Sequence, residues 1–136
     1  MASKTKAYVL DAWSVMAYLE DEPAGESVET LIIEAQENGI PLLMSVVNAA
    51  EVWYAFARQA SEAQANQSLT ELQQLGVELQ PADIVLALEA AKFKAKHKMS
   101  LADCFAAALA KQRKAELVTG DQEFRQVDKE VKLFWL

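Results

Sequence analysis

Four acids stand where a carboxylate could do chemistry: Asp11 ends the apolar run YVL, Glu51 lies early in VVNAAEVWYAFARQA, Asp103 lies in SLADCFAAALA, and Asp121 closes AELVTGD. Each has an ordinary explanation. Asp11 reads as a strand-ending turn acid, and Glu51 as a first-turn acid facing a helix macrodipole. Ser100 and Asp103 have the spacing of a capping box before an apolar run, and Gly120-Asp121 reads as a turn. These explanations leave open why all four acids would meet. Two unit charges about 4 Å apart repel by roughly 4 kcal/mol at an effective dielectric near 20. Four carboxylates drawn together would therefore hold protons or recruit a cation. His97 is the sole histidine and Cys104 the sole cysteine, so a zinc-type ligand cluster is excluded. The all-oxygen set suits Mg2+ or Mn2+. Such an ion lowers the pKa of a bound water and polarises a phosphoryl oxygen.

The pattern that would gather these acids is an alternation of short strands and helices. KAYVL, IPLLMS, VELQ, AELVTGD and VKLFWL read as strands, the last towards one edge of a sheet. Between them run helical segments. In AGESVETLIIEAQENG, residues Val28, Leu31, Ile32 and Ala35 form an apolar stripe, Glu26, Glu29, Glu34 and Glu37 face elsewhere, and Gly39 marks the stop. Ser45 suits the cap of the next helix, and Pro81 suits the first turn of ADIVLALEAAKFKAKHK. The predicted fold is α/β, an α/β/α sandwich around a mainly parallel central sheet, in one domain spanning 1–136. Ligand groups in such sheets gather beyond the carboxyl ends of the strands. Asp11 and Asp121 fall at those ends, and Glu51 and Asp103 early in the helices.

Composition narrows the class. The chain has 136 residues, of which 52% are hydrophobic, enough for a packed core and against disorder. A single cysteine excludes an internal disulfide and suits a reducing compartment. Lys4 and Lys6 before AYVLDAWSVMAYL mimic a signal peptide, but Asp11 breaks the apolar run and Glu20-Asp21-Glu22 follows it. No apolar segment approaches the roughly 18 residues of a membrane span. The expectation is a cytoplasmic protein with no membrane partner. The net charge of −7 argues against a nucleic-acid partner only until its distribution is read. Lys92 to Lys114 carries +6, and the rest of the chain −13.

The segments YVLDAWSVMAYL, SVVNAAEVWYAFAR, SLADCFAAALA and LVTGDQEF resemble, in order and over essentially the whole chain, the four motifs of PIN-domain ribonucleases. The resemblance is closest to the VapC-type toxins of bacterial toxin–antitoxin pairs. It implies a PIN-like fold and metal-dependent hydrolysis of RNA. It assigns the acidic positions to Asp11, Glu51, Asp103 and Asp121, with Asp11 and Asp103 as direct ligands of Mg2+ or Mn2+. Glu51 would ligate directly or through water, or orient the attacking water, and Asp121 would support a second metal position. Thr119 matches a hydroxyl residue often found beside the last acid. The implied partners are the RNA substrate, a cognate antitoxin and a second copy in a homodimer. Trp13 departs from the small or hydroxyl residue common two places after the first acid, and leaves substrate choice open. Glu123 matches an often acidic place and is not assigned to catalysis.

Other residues carry two readings. Asn48 lies one turn before Glu51, where it would bond substrate or a neighbouring carboxylate, or satisfy backbone near Ser45. Cys104 reads as helix packing, His97 as a solvated helix end, and Trp53, Tyr54 and Phe56 as core or dimer contacts. Lys92, Lys94, Lys96 and Lys98 spread around more than one helix face, whereas Lys111, Arg113, Lys114 and Arg125 would guide phosphate to the acids. Two other classes stay open: a non-enzymatic dimerisation or protein-interaction module, and a phosphotransfer domain that phosphorylates one Asp.

Overall fold

The computed structural model describes residues 5–136, so Lys4 lies outside the described residues. Five strands, β1 (Tyr8–Leu10), β2 (Leu42–Ser45), β3 (Val77–Gln80), β4 (Glu116–Thr119) and β5 (Lys132–Trp135), form one sheet in the order β3-β2-β1-β4-β5. Every pairing is parallel. Six helices connect and cover it: α1 (Ala12–Leu19), α2 (Gly25–Asn38), α3 (Val46–Gln59), α4 (Glu62–Gln74), α5 (Ile84–Lys96) and α6 (Leu101–Arg113). A 3₁₀ helix, Gln122–Val127, follows β4.

Strand alternation makes the sandwich. Val9, Leu43 and Leu117 face a core shared with α5 and α6. Their neighbours Leu10, Leu42, Met44 and Val118 face the opposite core, with Val15, Val28, Leu31, Ile32 and Ala35. Period-2 side chains on a sheet covered on both sides give near-continuous apolar strands. The run Cys104–Ala110 is buried throughout α6, as befits a helix enclosed on most sides.

Several local signals act as expected. Gly39 ends α2 in the left-handed region at φ 65°, where a glycine adopts the turn without a Cβ penalty. Ser45 accepts a hydrogen bond from the Val47 N–H at 3.2 Å and starts α3. Pro81 is not in the first turn of α5: the helix begins at Ile84, with Asp83 as its cap accepting from the Leu86 N–H at 2.9 Å. A carboxylate that satisfies an orphan donor outcompetes a proline that merely tolerates the position. His97 is not a solvated helix end. It caps the C-terminus of α5 half-buried, beside Phe93 and with Nε2 3.6 Å from Glu130 Oε2. Among the described residues no helix is long and apolar enough to cross a membrane.

Candidate active site

The strand order reverses between β1 and β4, so the connections leaving them diverge and open a crevice at their carboxyl ends. Asp11 follows β1 and Asp121 follows β4. The starts of α3 and α6 add Glu51 and Asp103 at the same end. Together with Ala12, Trp13, Met16, Tyr54 and Ser100, the acids Glu22, Glu51, Asp103 and Asp121 line a cleft of about 430 Å3.

Asp11 lies beneath this cleft at 1% exposure. It caps α1, one oxygen accepting from the Ser14 N–H at 2.8 Å and the other from the Thr119 hydroxyl at 2.5 Å. The Thr119 oxygen in turn accepts from the Asp121 N–H at 3.0 Å, so one hydroxyl ties the first acid to the backbone of the last. Burial pushes the Asp11 carboxyl from 3.8 up to about 7, against the lowering effect of these hydrogen bonds. Each oxygen keeps a further lone pair for a cation.

Asp103 is also raised, to about 6, by burial first and then by the charges of Asp121 and Glu51, with a smaller contribution from Glu123. The Ser100 hydroxyl caps α6 by accepting from the Asp103 N–H at 3.1 Å. The Asp103 carboxylate accepts no bond from the Ser100 N–H among the described residues, so half of the capping box is missing, and the carboxylate lines the cleft beside the Ser100 hydroxyl, which has a smaller lowering effect on it. Oxygens of Asp103, Asp121 and Glu123 lie within 4.8 Å of one another. Glu123, which sequence reading set aside, thus joins the tightest group. It gets there because Asp121 caps the 3₁₀ helix through the Glu123 N–H, at 2.9 Å, and turns the chain back towards the cleft. Its match to an often acidic place in the resembled family was the signal in the sequence.

Glu51 is half-buried, and burial raises its carboxyl above the usual range. Asn48, fully buried, donates through Nδ2 to Glu51 Oε1 and to the Ala102 carbonyl, both at 3.0 Å. It therefore fastens α3 to the first turn of α6, one residue from Asp103, and takes the neighbouring-carboxylate reading rather than the Ser45 one. Asn48→Ala is expected to lose about 1–3 kcal/mol in urea unfolding, the usual cost of deleting a buried bonded amide. Asn48→Asp, which sets a second carboxylate against Glu51, should lose more at pH 8 than at pH 5.

The walls differ from expectation. Tyr54 is not core: it is 47% exposed in the cleft and carries the Arg58 guanidinium 5.1 Å from its ring centre. Trp53 is half-buried and donates its indole N–H to Asn66. Lys111, Arg113 and Lys114 do not approach the acids. They lie roughly 12–16 Å along α6 from Asp103 at 1.5 Å per residue, where Lys111 meets Glu130 and Arg113 donates to Gln80. Among the described residues no Lys or Arg lines the cleft. Arg125 stacks over the Trp135 ring at 5.4 Å.

A doubly wound parallel sheet with carboxylates collected at its switch point defines an acid-centred α/β domain. Comparison narrows this further: residues 8–130 match the PIN domain model, and the chain belongs to that family. No curated protein matches the chain significantly in sequence. Among solved structures, VapBC2 of Rickettsia felis, bound to a DNA fragment from its promoter, is similar with a TM-score of 0.77 at 16% identity, over 96% of this chain and 98% of that one. VapC20 of Mycobacterium tuberculosis, described as a Sarcin-Ricin loop cleaving toxin, is similar at 0.69 and 15% identity, over 89% and 95%. VapBC-1 of nontypeable Haemophilus influenzae gives 0.71 at 18%, over 95% and 97%. At these identities the likeness is one of fold, and the fold matched is the α/β/α sandwich described above.

Proposed function

We propose that this chain is a metal-dependent endoribonuclease, the VapC-type toxin of a toxin–antitoxin pair, acting in the cytoplasm. The observation that carries the reading is the convergence of Asp103, Asp121 and Glu123 within 4.8 Å, with Asp11 below and Glu51 beside them. The donor set fits a hard divalent cation. It is all oxygen and partly shielded from water, and burial raises the carboxyls of Asp11, Asp103 and Glu51. Asp103, Asp121 and Glu123 would hold Mg2+ or Mn2+, with Asp11 and Glu51 completing the shell directly or through water. When bound, the ion supplies an activated water and neutralises charge building on a phosphoryl oxygen.

The chain's own residues do the rest. Thr119 fixes the Asp11 carboxylate against β4, and Asn48 fixes Glu51 at the start of α6. Glu51, with its raised carboxyl, is placed to accept a proton from the attacking water. Fold likeness to VapBC and FitAB assemblies supports an antitoxin partner. Pairing with a second copy is supported by Ile84, Val85 and Leu88, three apolar side chains left exposed on one face of α5.

The test is incubation of the purified chain with an unstructured RNA under Mn2+, Mg2+ or chelator. Internal cleavage in either metal and none in chelator is expected. Equal cleavage with chelator, or none in any condition, would overturn the reading and favour the interaction module.

A further inference from the structure

The cleft poses an energetic problem for any polyanion. Among the described residues its lining carries Glu22, Glu51, Asp103 and Asp121 and no Lys or Arg, so phosphate contacts to these side chains supply no attraction there. The ion proposed above would attract the cleaved phosphate, and the flanking nucleotides would draw on contacts indifferent to charge. The lining offers two exposed aromatic rings, Trp13 at 40% and Tyr54 at 47% exposure. Tyr54 already carries Arg58 over its ring. Trp13 carries no such partner among the described residues.

Trp13 is also held in place. It sits in the first turn of α1, two residues beyond Asp11, and its six-membered ring is laid against Gly120, between Thr119 and Asp121. A Cβ on Gly120 would fall 2.2 Å from Trp13 Cη2 and 2.4 Å from Cζ3, so only glycine admits the ring at this depth. The indole therefore has one edge wedged beside the last acid and the remainder open to the cleft. The contact with Gly120 restricts the ring before any ligand arrives, which lowers the cost of stacking a partner on it.

We propose that Trp13 is a specificity-determining platform on which an unpaired nucleobase flanking the cleaved phosphodiester stacks. The inference rests on the nuclease reading of the cleft. A base inside a duplex has both faces stacked on its neighbours, so the platform selects single-stranded segments, while any base can occupy it.

The test is single-turnover cleavage of a short unstructured RNA in Mn2+, after the cut site has been mapped. The same RNA is then made with an abasic ribose on either side of the cut. Trp13→Ala is expected to lower cleavage efficiency at subsaturating enzyme by about 5- to 150-fold, the range of base–aromatic stacking, and Trp13→Phe to retain most of it. An abasic residue at one flanking position should cost the wild type a similar factor and cost Trp13→Ala nothing further. Trp13→Leu, which fills the space against Gly120 without a π face, should behave like Trp13→Ala and guards against a variant that fails to fold. Wild-type cleavage indifferent to both abasic positions, or abasic and Trp13→Ala losses that multiply, would overturn the platform while leaving the nuclease reading intact. A wild type that cleaves no RNA would remove both.

Discussion

Asp103→Asn should reduce Mn2+-dependent RNA cleavage by about 100-fold or more while leaving the fold and the α6 cap unchanged. Loss of an outer-shell partner in a metal site commonly costs 10- to 100-fold, so loss of a direct ligand should cost at least as much. The capping explanation predicts the opposite balance, with little effect on chemistry and a loss of stability. The structure separates the two, because the cap is the Ser100 hydroxyl bonded to the Asp103 backbone N–H, which asparagine keeps. Removing the charge also relieves repulsion from Asp121, Glu51 and Glu123, so the metal-free variant should be at least as stable as the wild type. Thermal unfolding supplies the second readout. Mn2+ at about 100 times its dissociation constant should stabilise the wild type by roughly 2.7 kcal/mol. It should do the same for Glu89→Gln, a half-buried control on α5 that pairs with Lys92, and little for Asp103→Asn. Equal cleavage by wild type and Asp103→Asn would remove Asp103 from the chemistry.

The sequence carried the strands, the helices and the end of the sheet at which the acids meet, because those depend on local punctuation and period. Gly39, Ser45 and Ser100 are local devices, and alternating burial of Val9 and Leu10 follows from strand geometry alone. What was not legible depends on contacts distant in the chain. Thr119 and Asp11 meet across 108 positions, and no pattern in either segment foretells that both Asp11 oxygens are occupied. Glu123 was passed over because its approach needs a 3₁₀ turn that LVTGDQEF does not announce. Lys111, Arg113 and Lys114, expected to guide phosphate to the acids, stand at the far end of the helix that Asp103 begins, and a helix separates its ends as firmly as it joins them. Gly120 looked like a turn glycine, and only the structure shows the ring of Trp13 occupying the place of its missing side chain.

The raised carboxyls predict an unusual pH dependence for the metal-free protein. Asp11 stands at about 7 and Asp103 at about 6 in the folded chain, against 3.8 for an ordinary aspartate. Between about pH 4 and pH 7 the folded state holds protons that the unfolded chain has released. These groups therefore leave the fold most stable below about pH 4, lower its stability as pH rises, and exert their full destabilising effect above about 7. For Asp11 the shift corresponds to on the order of 4 kcal/mol at 1.36 kcal/mol per unit. Asp103 adds less, because water reaches its carboxylate and screens it. Asp11→Asn isolates the effect from the general repulsion of a chain carrying −7. Asparagine caps helices as well as aspartate does, and its amide bonds to Ser14 or Thr119 without a proton to lose. Urea unfolding in chelator should show wild-type stability declining from pH 4.5 to pH 8 more steeply than that of Asp11→Asn, with the variant more stable at pH 8. Parallel curves would mean that Asp11 is not held protonated by burial. Saturating Mn2+ should act in the opposite sense, since a cation binds the ionised carboxylates and its stabilisation grows as protons leave. The site would then be least stable empty, and most stabilised by its ion, in the neutral range where hydrolysis would have to run.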